Sequence, residues 1–369
     1  MKRKIQRMFA LSEKGASDLI KGTLWCAFSN ISLMFPVGLL VLVIDRMIQA
    51  LSNGSDPAAG VWGYTAAGTV ILAFIFLIYN LKYKSVYLNT YNESANRRVR
   101  LAEKLRALPL SFFGNRDLSD LTSTIMTDCG SLEQAFSHYI PELFGALLST
   151  ILIAVGLFCM NWRMALAVLW VVPFALALVV GSKKIQDKMG LRNILIKRAS
   201  ADAIQECLET VRDIKACNQK DRYLSGLREK LIRAEKSEIR VELGAGVFVV
   251  AAQAFLRLGI ATTVLVGAGL LTGGEIDLLT FLVFLITAAR LYDPLSLGLQ
   301  NTAATFNAKL QINRMREIEE QPVQTGTESY SPNGYDVVFD HVKFAYHEDE
   351  GILTDVSFTA KQGEVTALV

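Results

Sequence analysis

Charge is missing from long tracts of this 369-residue chain, and that absence organises the rest. Residues 23–44, 60–79, 143–160 and 164–181 contain no Asp, Glu, Lys or Arg. A fifth run, 243–271, is interrupted only by Arg257. A sixth, 276–289, carries only Asp277 near its start. The runs approach or exceed the ~20 residues that cross a hydrocarbon core about 30 Å thick.

Other absences narrow the function. Cys26, Cys129, Cys159, Cys207 and Cys217 show no C-x-x-C or Cys/His ligand spacing, so they read as isolated reduced thiols and no metal is expected. No nucleophile–base pair or metal-ligand cluster falls on the apolar runs, which disfavours a membrane-bound enzyme. The net charge is +3 and the basic residues do not gather in one patch, so nucleic acid is not an expected partner. No small-residue cleavage site leads from the head into a secreted chain, so the head is not read as a signal peptide.

What is present is an alternation of connector lengths. About 15 residues separate the first two runs, then over 60, then three, then about 60, then four. Basic residues follow the long connectors: six in residues 1–21, eight in 80–142 and fifteen in 182–242. The short connectors hold only Arg46 and Arg163. Lys and Arg accumulate on the cytoplasmic side. The expected topology is therefore six spans in a lipid bilayer with both termini and both long arms cytoplasmic. Compact loops and a bare outer side suit the plasma membrane, and a bacterial inner membrane in particular.

The arms read as helices. Residues 81–108 lack Pro and Gly and include the helix-favouring RRVRLAEKLRAL; 191–211 is similar, and 223–243 contains only Gly226. At ~1.5 Å per residue, 25–30 helical residues project roughly 40 Å beyond the bilayer. Each arm has a distinct tip, LPLSFFGNRDLSDLTSTIMTD and ETVRDIKACNQKDRYLSGLREK. A charge-rich tip is either a solvated surface or a docking point. Two tips on one side favour a shared partner.

Beyond residue 320 the texture changes. Residues 321–334 form a linker rich in Pro, Gly, Ser and Thr. DVVFDHVKFAY and GILTDVSFTA then alternate like strands, and a KQGE turn leads to VTALV, expected as a third. Such a piece of about 35 residues cannot bury a core of its own.

The tail VVFDHVKFAYHEDEGILTDVSFTAKQGEVTALV resembles the opening of the nucleotide-binding domain of ATP-binding cassette transporters. LPLSFFGNRDLSDLTSTIMTD, ECLETVRDIKACNQKDRY and ARLYDPL resemble, in order, the first and second intracellular loops and the sixth span of the exporter-type membrane domain. The resemblance implies an all-α, six-span membrane domain over 1–320, with spans at about 23–44, 60–79, 143–160, 164–181, 243–271 and 276–298. The linker follows at 321–334, and 335–369 would be the first strands of an α/β P-loop ATPase domain. It implies ATP with Mg²⁺ as cofactor of the complete protein, nucleotide-binding domains as partners, and a second half-transporter in a homo- or heterodimer.

The resemblance also assigns roles. Tyr346 falls where the family stacks an aromatic on adenine, with an ordinary strand aromatic as the alternative, and Ile352 packs beside the same base. Asn115, Arg116, Asp117, Leu118, Ser119 and Asp120 belong to the first coupling helix, expected over 115–122. Ile214, Lys215, Ala216, Cys217 and Asn218 belong to the second, over 214–221. The chain holds no Gly-rich phosphate loop, no Mg²⁺-binding strand Asp, no LSGGQ-like signature and no catalytic Glu or switch His in the family's order. ATP hydrolysis is thus an expectation for the complete protein, and no catalytic residue is expected in this chain.

Arg257 interrupts the fifth run, where a cation costs about 2.5–3.5 kcal/mol on insertion scales. Gln253 lies one turn away on the same face. Arg257 either meets an anionic or polar substrate, or pairs structurally with a carboxylate such as Glu142 or Asp293. Arg290 and Asp293 are candidates to pair with each other. Three function classes follow: an ATP-driven transporter, with export favoured and import of iron–siderophore complexes as the alternative; a passive channel or receptor; and a membrane enzyme. The strand-rich tail favours the first.

Overall fold

The computed structural model describes residues 2–53, 60–114, 118–323, 325–326, 329, 331–332, 334–345 and 351–367. A basic helix, α1 (Lys2–Phe9), precedes α2 (Glu13–Asn53) and α3 (Val61–Arg106). A single turn of helix, α4 (Leu110–Gly114), and the turns over Leu118–Ser123 lead into α5 (Asp120–Met160). Next come α6 (Trp162–Glu209), α7 (Val211–Ala216) and α8 (Lys220–Thr272), followed by α9 (Leu278–Gln300) and α10 (Thr302–Glu319). Two strands close the order, β1 (Val337–Ala345) and β2 (Gly351–Ala360). Among the described residues α2, α3, α5, α6, α8 and α9 are long and apolar enough to cross a membrane. The chain is a multi-pass membrane protein.

Two compact units divide the chain: Met1–Asn96 with Cys129–Asn313, and Arg97–Asp128 with Arg314–Val369. In the first, α6, α8 and α9 enclose a core that includes Val168, Ala252, Leu256, Phe284, Leu291 and Leu295. Close approach needs a small residue, and Gly259 of α8 supplies it, because a Cβ there would collide with the Tyr292 hydroxyl. That hydroxyl donates to the Val168 carbonyl at 2.6 Å, tying α9 to α6. On the other flank α2 packs on α5, where a Cβ on Gly145 would stand 2.5 Å from that of Cys26.

Proline interrupts two of the long helices. Pro36 cannot donate to the Ser32 carbonyl, and α2 breaks at Leu33–Met34, inside the stretch expected as one span. Pro173 leaves the Leu169 carbonyl without its donor, and α6 turns at Trp170. Three π-helical turns (Lys84–Leu88, Thr124–Asp128 and Ala135–Tyr139) re-aim side chains along α3 and α5. The first and third belong to the same unit and bring the Tyr87 and His138 rings to 4.9 Å, edge to face.

The second unit buries Leu101, Leu108, Leu121, Met315 and Ile318. Its strands pair antiparallel, with Phe339 stacked on Phe358 at 4.6 Å. Between Phe339 and Val342 the register slips, so that Asp340 and His341 oppose Ser357 alone. His341 takes a left-handed φ of 49° there, and its N–H donates to the Ser357 hydroxyl at 2.8 Å. Residues 365–367 form no strand, contrary to expectation: Val365 is fully exposed and has no neighbouring strand to pair with among the described residues.

Candidate transport pathway and docking tips

Along α8 the buried positions Ala252, Leu256, Gly259 and Thr263 recur at three- and four-residue spacing and form the packing seam. Gln253 and Arg257 each follow a seam residue by one position, so they share one flank. Gln253 is half-buried, and its Nε2 donates to the Ser296 carbonyl of α9 at 3.2 Å. Arg257 is exposed, and among the described residues it makes no ion pair or hydrogen bond.

Neither carboxylate considered as its partner is engaged with it. Glu142 pairs instead with Lys82 at 2.5 Å, with side chains 19% and 12% exposed. Lys82 also lies over the Tyr79 ring at 5.3 Å. Sequence reading missed Lys82, yet it left a signal. Lys82 follows the second apolar run and Glu142 precedes the third, so neighbouring antiparallel spans bring the two to similar depth. Arg290 and Asp293 do not pair either; both are exposed on α9. A basic residue N-terminal to its acidic partner is the weaker order on a helix, and water competes for both.

At the first tip, Asn115, Arg116 and Asp117 lie outside the described residues. Leu118 is 71% exposed at the start of the helical turns, and the Ser119 backbone follows it in helix. Asp120 is not a free tip residue. It accepts from Arg314 of α10 at 2.5 Å, and Arg314 also reaches Asp128 at 3.0 Å. Arg314, which sequence reading also missed, thus holds two carboxylates eight residues apart on α5. Nothing local announces this pairing, because nearly 200 residues separate Arg314 from Asp120.

The second tip is open. Its helix is α7, Val211–Ala216, which begins three residues before the expected 214–221. Asn218 ends it in the left-handed region at φ 51°, and the Gln219 N–H turns back to the Ile214 carbonyl at 3.1 Å. Cys217 and Asn218 therefore form the turn rather than the helix. Lys215, Ala216, Cys217 and Asn218 are exposed, and Ile214 is half-buried. Behind the tip, Glu238 of α8 accepts from Asn193 and Lys197 of α6, each at 2.6 Å.

Of the two residues assigned to the adenine side, Tyr346 lies outside the described residues, and Ile352 is exposed on β2. Among the described residues no group of three or more His, Cys, Asp or Glu side chains is placed to hold a metal.

Comparison with known proteins accords with this architecture. Residues 31–295 match the family described as ABC transporter transmembrane region. A multidrug resistance ABC transporter ATP-binding and permease protein of Lactococcus lactis is 24% identical, covering 91% of this chain and 58% of the relative. An ATP-dependent lipid A-core flippase of Desulfotalea psychrophila is 24% identical, over 81% of this chain and 54% of the relative. The mycobactin import ATP-binding/permease protein IrtA of Mycolicibacterium smegmatis is 28% identical, over 74% and 32%. The chain spans about half the length of the first two of these relatives, and a third of the last. With six long apolar helices and a family match over most of its length, the chain belongs to the ABC transporter transmembrane region family and is a membrane domain of exporter type.

Proposed function

We propose that this membrane domain is one half of an ATP-driven exporter in a bacterial inner membrane, with both termini cytoplasmic. It pairs with a second half-transporter, identical or similar. Nucleotide-binding domains, one of which begins near residue 335, bind ATP with Mg²⁺ and dock on the tips at 115–122 and 214–221. Tyr346 and Ile352 flank the adenine. Arg257 lines the pathway and meets an anionic or polar group of the substrate.

The observation that carries this reading is on α8. The exposed tip of Lys215, Ala216, Cys217 and Asn218 leads directly into the helix that bears the unpaired Arg257. A cation at mid-span without a partner among the described residues calls for an aqueous cavity, a neighbouring subunit or a ligand. The test is the complete gene product in proteoliposomes. ATP-dependent extrusion is expected, and Arg257→Gln is expected to keep basal ATPase while abolishing stimulation by substrate. Normal stimulation in the variant removes Arg257 from the pathway.

A second reading is import of iron–siderophore complexes. Two relatives named as mycobactin importers, 28% and 26% identical, favour it, and Arg257 suits an anionic chelate. Stimulation of ATPase by ferric siderophore, with accumulation in right-side-out vesicles, would select import over export.

A further inference from the structure

A cavity lies away from Arg257, where α1 meets α2 and α5. It measures about 390 Å³ and is lined by Ile5, Met8, Leu24, Ile140, Phe144 and Leu148 among others, with Lys4 at its edge. That volume falls within the roughly 300–1,000 Å³ of small-molecule pockets. The site is open: Met8, Leu24 and Phe144 are each about half-exposed, whereas Ile140 forms a buried floor.

The sequence of α1 explains both faces. In KRKIQRMF, Ile5, Met8 and Phe9 share one side at three- and four-residue spacing, and Phe9 packs edge to face on Phe136 of α5 at 5.6 Å. Four of its eight residues are basic and none is acidic. Lys2 is engaged with Glu13 at 3.2 Å. Among the described residues Arg3, Lys4 and Arg7 make no ion pair, and all three are exposed. An apolar trough beside three unneutralised cations calls for an amphiphile with an anionic head. Basic amphipathic helices meet that chemistry at the membrane interface.

We propose that this trough is a binding site for one anionic phospholipid. An acyl chain lies along Met8, Leu24 and Phe144, and the phosphate is held by Lys4 with Arg3 or Arg7. The site is independent of the transport reading, because nothing in it involves Arg257, the tips or ATP.

The test is native mass spectrometry of the full chain in detergent, titrated with phosphatidylglycerol or with phosphatidylcholine of the same acyl chains. One phosphatidylglycerol per chain should be retained, at least roughly tenfold more tightly than phosphatidylcholine. Exchanging Lys4→Glu and Arg7→Glu together should abolish the preference. Leu24→Trp, which fills the trough and leaves α1 charged, should abolish retention of either lipid. If Leu24→Trp is not recovered folded, Met8→Ala, at an exposed position that cannot overpack, should weaken retention instead. Equal binding of the two lipids overturns the proposal. So does a preference that survives the charge reversal, or retention unchanged by both trough variants.

Discussion

The two helical hairpins of this protein are built alike and held differently. The first, α3 to α5, is secured by Lys82 with Glu142 near the apolar runs, both largely withdrawn from water, and at its tip by Arg314, which joins the nearly buried Asp128 to a more exposed Asp120. The second, α6 to α8, is joined in its polar stretch by Glu238 with Asn193 and Lys197, on side chains about 40–50% exposed for the ion pair. Paired charges shielded from water are costly to separate, because the survivor stays buried and unpaired. Exposed pairs contribute little, because water and salt replace the partner. The contrast predicts that charge matters most where Lys82 meets Glu142, and that the arms of the second hairpin are held mainly by their apolar seam.

The comparison breaks most readily at Glu142. Glu142→Gln should destabilise the protein by ~3–5 kcal/mol, read as a fall in the thermal midpoint in detergent. Replacing Lys82→Met and Glu142→Leu together should recover most of the loss. Failure of that recovery would mean that Glu142 acts through something other than Lys82.

Arg314→Gln comes next. It removes the hydrogen bond to Asp120 and leaves the nearly buried Asp128 without its ion-pair partner, a loss of about 1.5–3 kcal/mol. The effect should be local, with faster hydrogen exchange over Leu118–Ser123 and unchanged exchange over Val211–Ala216. Equal acceleration at both tips would erase the distinction between the hairpins.

Asn218→Val should be smaller, about 1–2 kcal/mol, because a β-branched residue fits the left-handed region poorly. It should raise exchange at α7 alone. Glu238→Gln should be smallest, below about 1 kcal/mol, and moderate salt should remove most of it. A larger, salt-independent loss would show the second hairpin to be charge-held after all.

Much of this fold was legible in the sequence because lipid imposes a simple rule: each span is a run without charge, so six runs from residue 23 onward mark six helices. The strand pair was legible from alternation in DVVFDHVKFAY and GILTDVSFTA. What escaped depends on which surfaces meet in space. Lys82 with Glu142, and Arg314 with Asp120, join residues about 60 and 194 apart, and neither pairing is encoded in a local spacing. The candidate Arg290–Asp293 pair shows the converse, since proximity along a helix allows contact without producing it. Both bounds of α7 lie earlier than expected because they are set by backbone turns, at Thr210 before it and at Asn218 after it, which residue type only permits. For the candidate site, Arg257 and the exposed tip were visible as a charge in an apolar run and as a break between helices. That Arg257 has no partner among the described residues could be seen only with the other helices in place.

One feature of α8 bears on mechanics. Lys220–Thr272 has no proline and no break, unlike α2 and α6. Arg257 stands 37 residues from its first residue, roughly 55 Å along the axis at ~1.5 Å per residue. A rod of that length has no joint at which to absorb a push. If one end is held while the helix tilts by about 5°, the other end sweeps through roughly 5 Å over that distance. That is close to one helical turn, so a displacement too small to unmake any packing at the pivot is large enough at mid-span to carry a guanidinium from one environment to another.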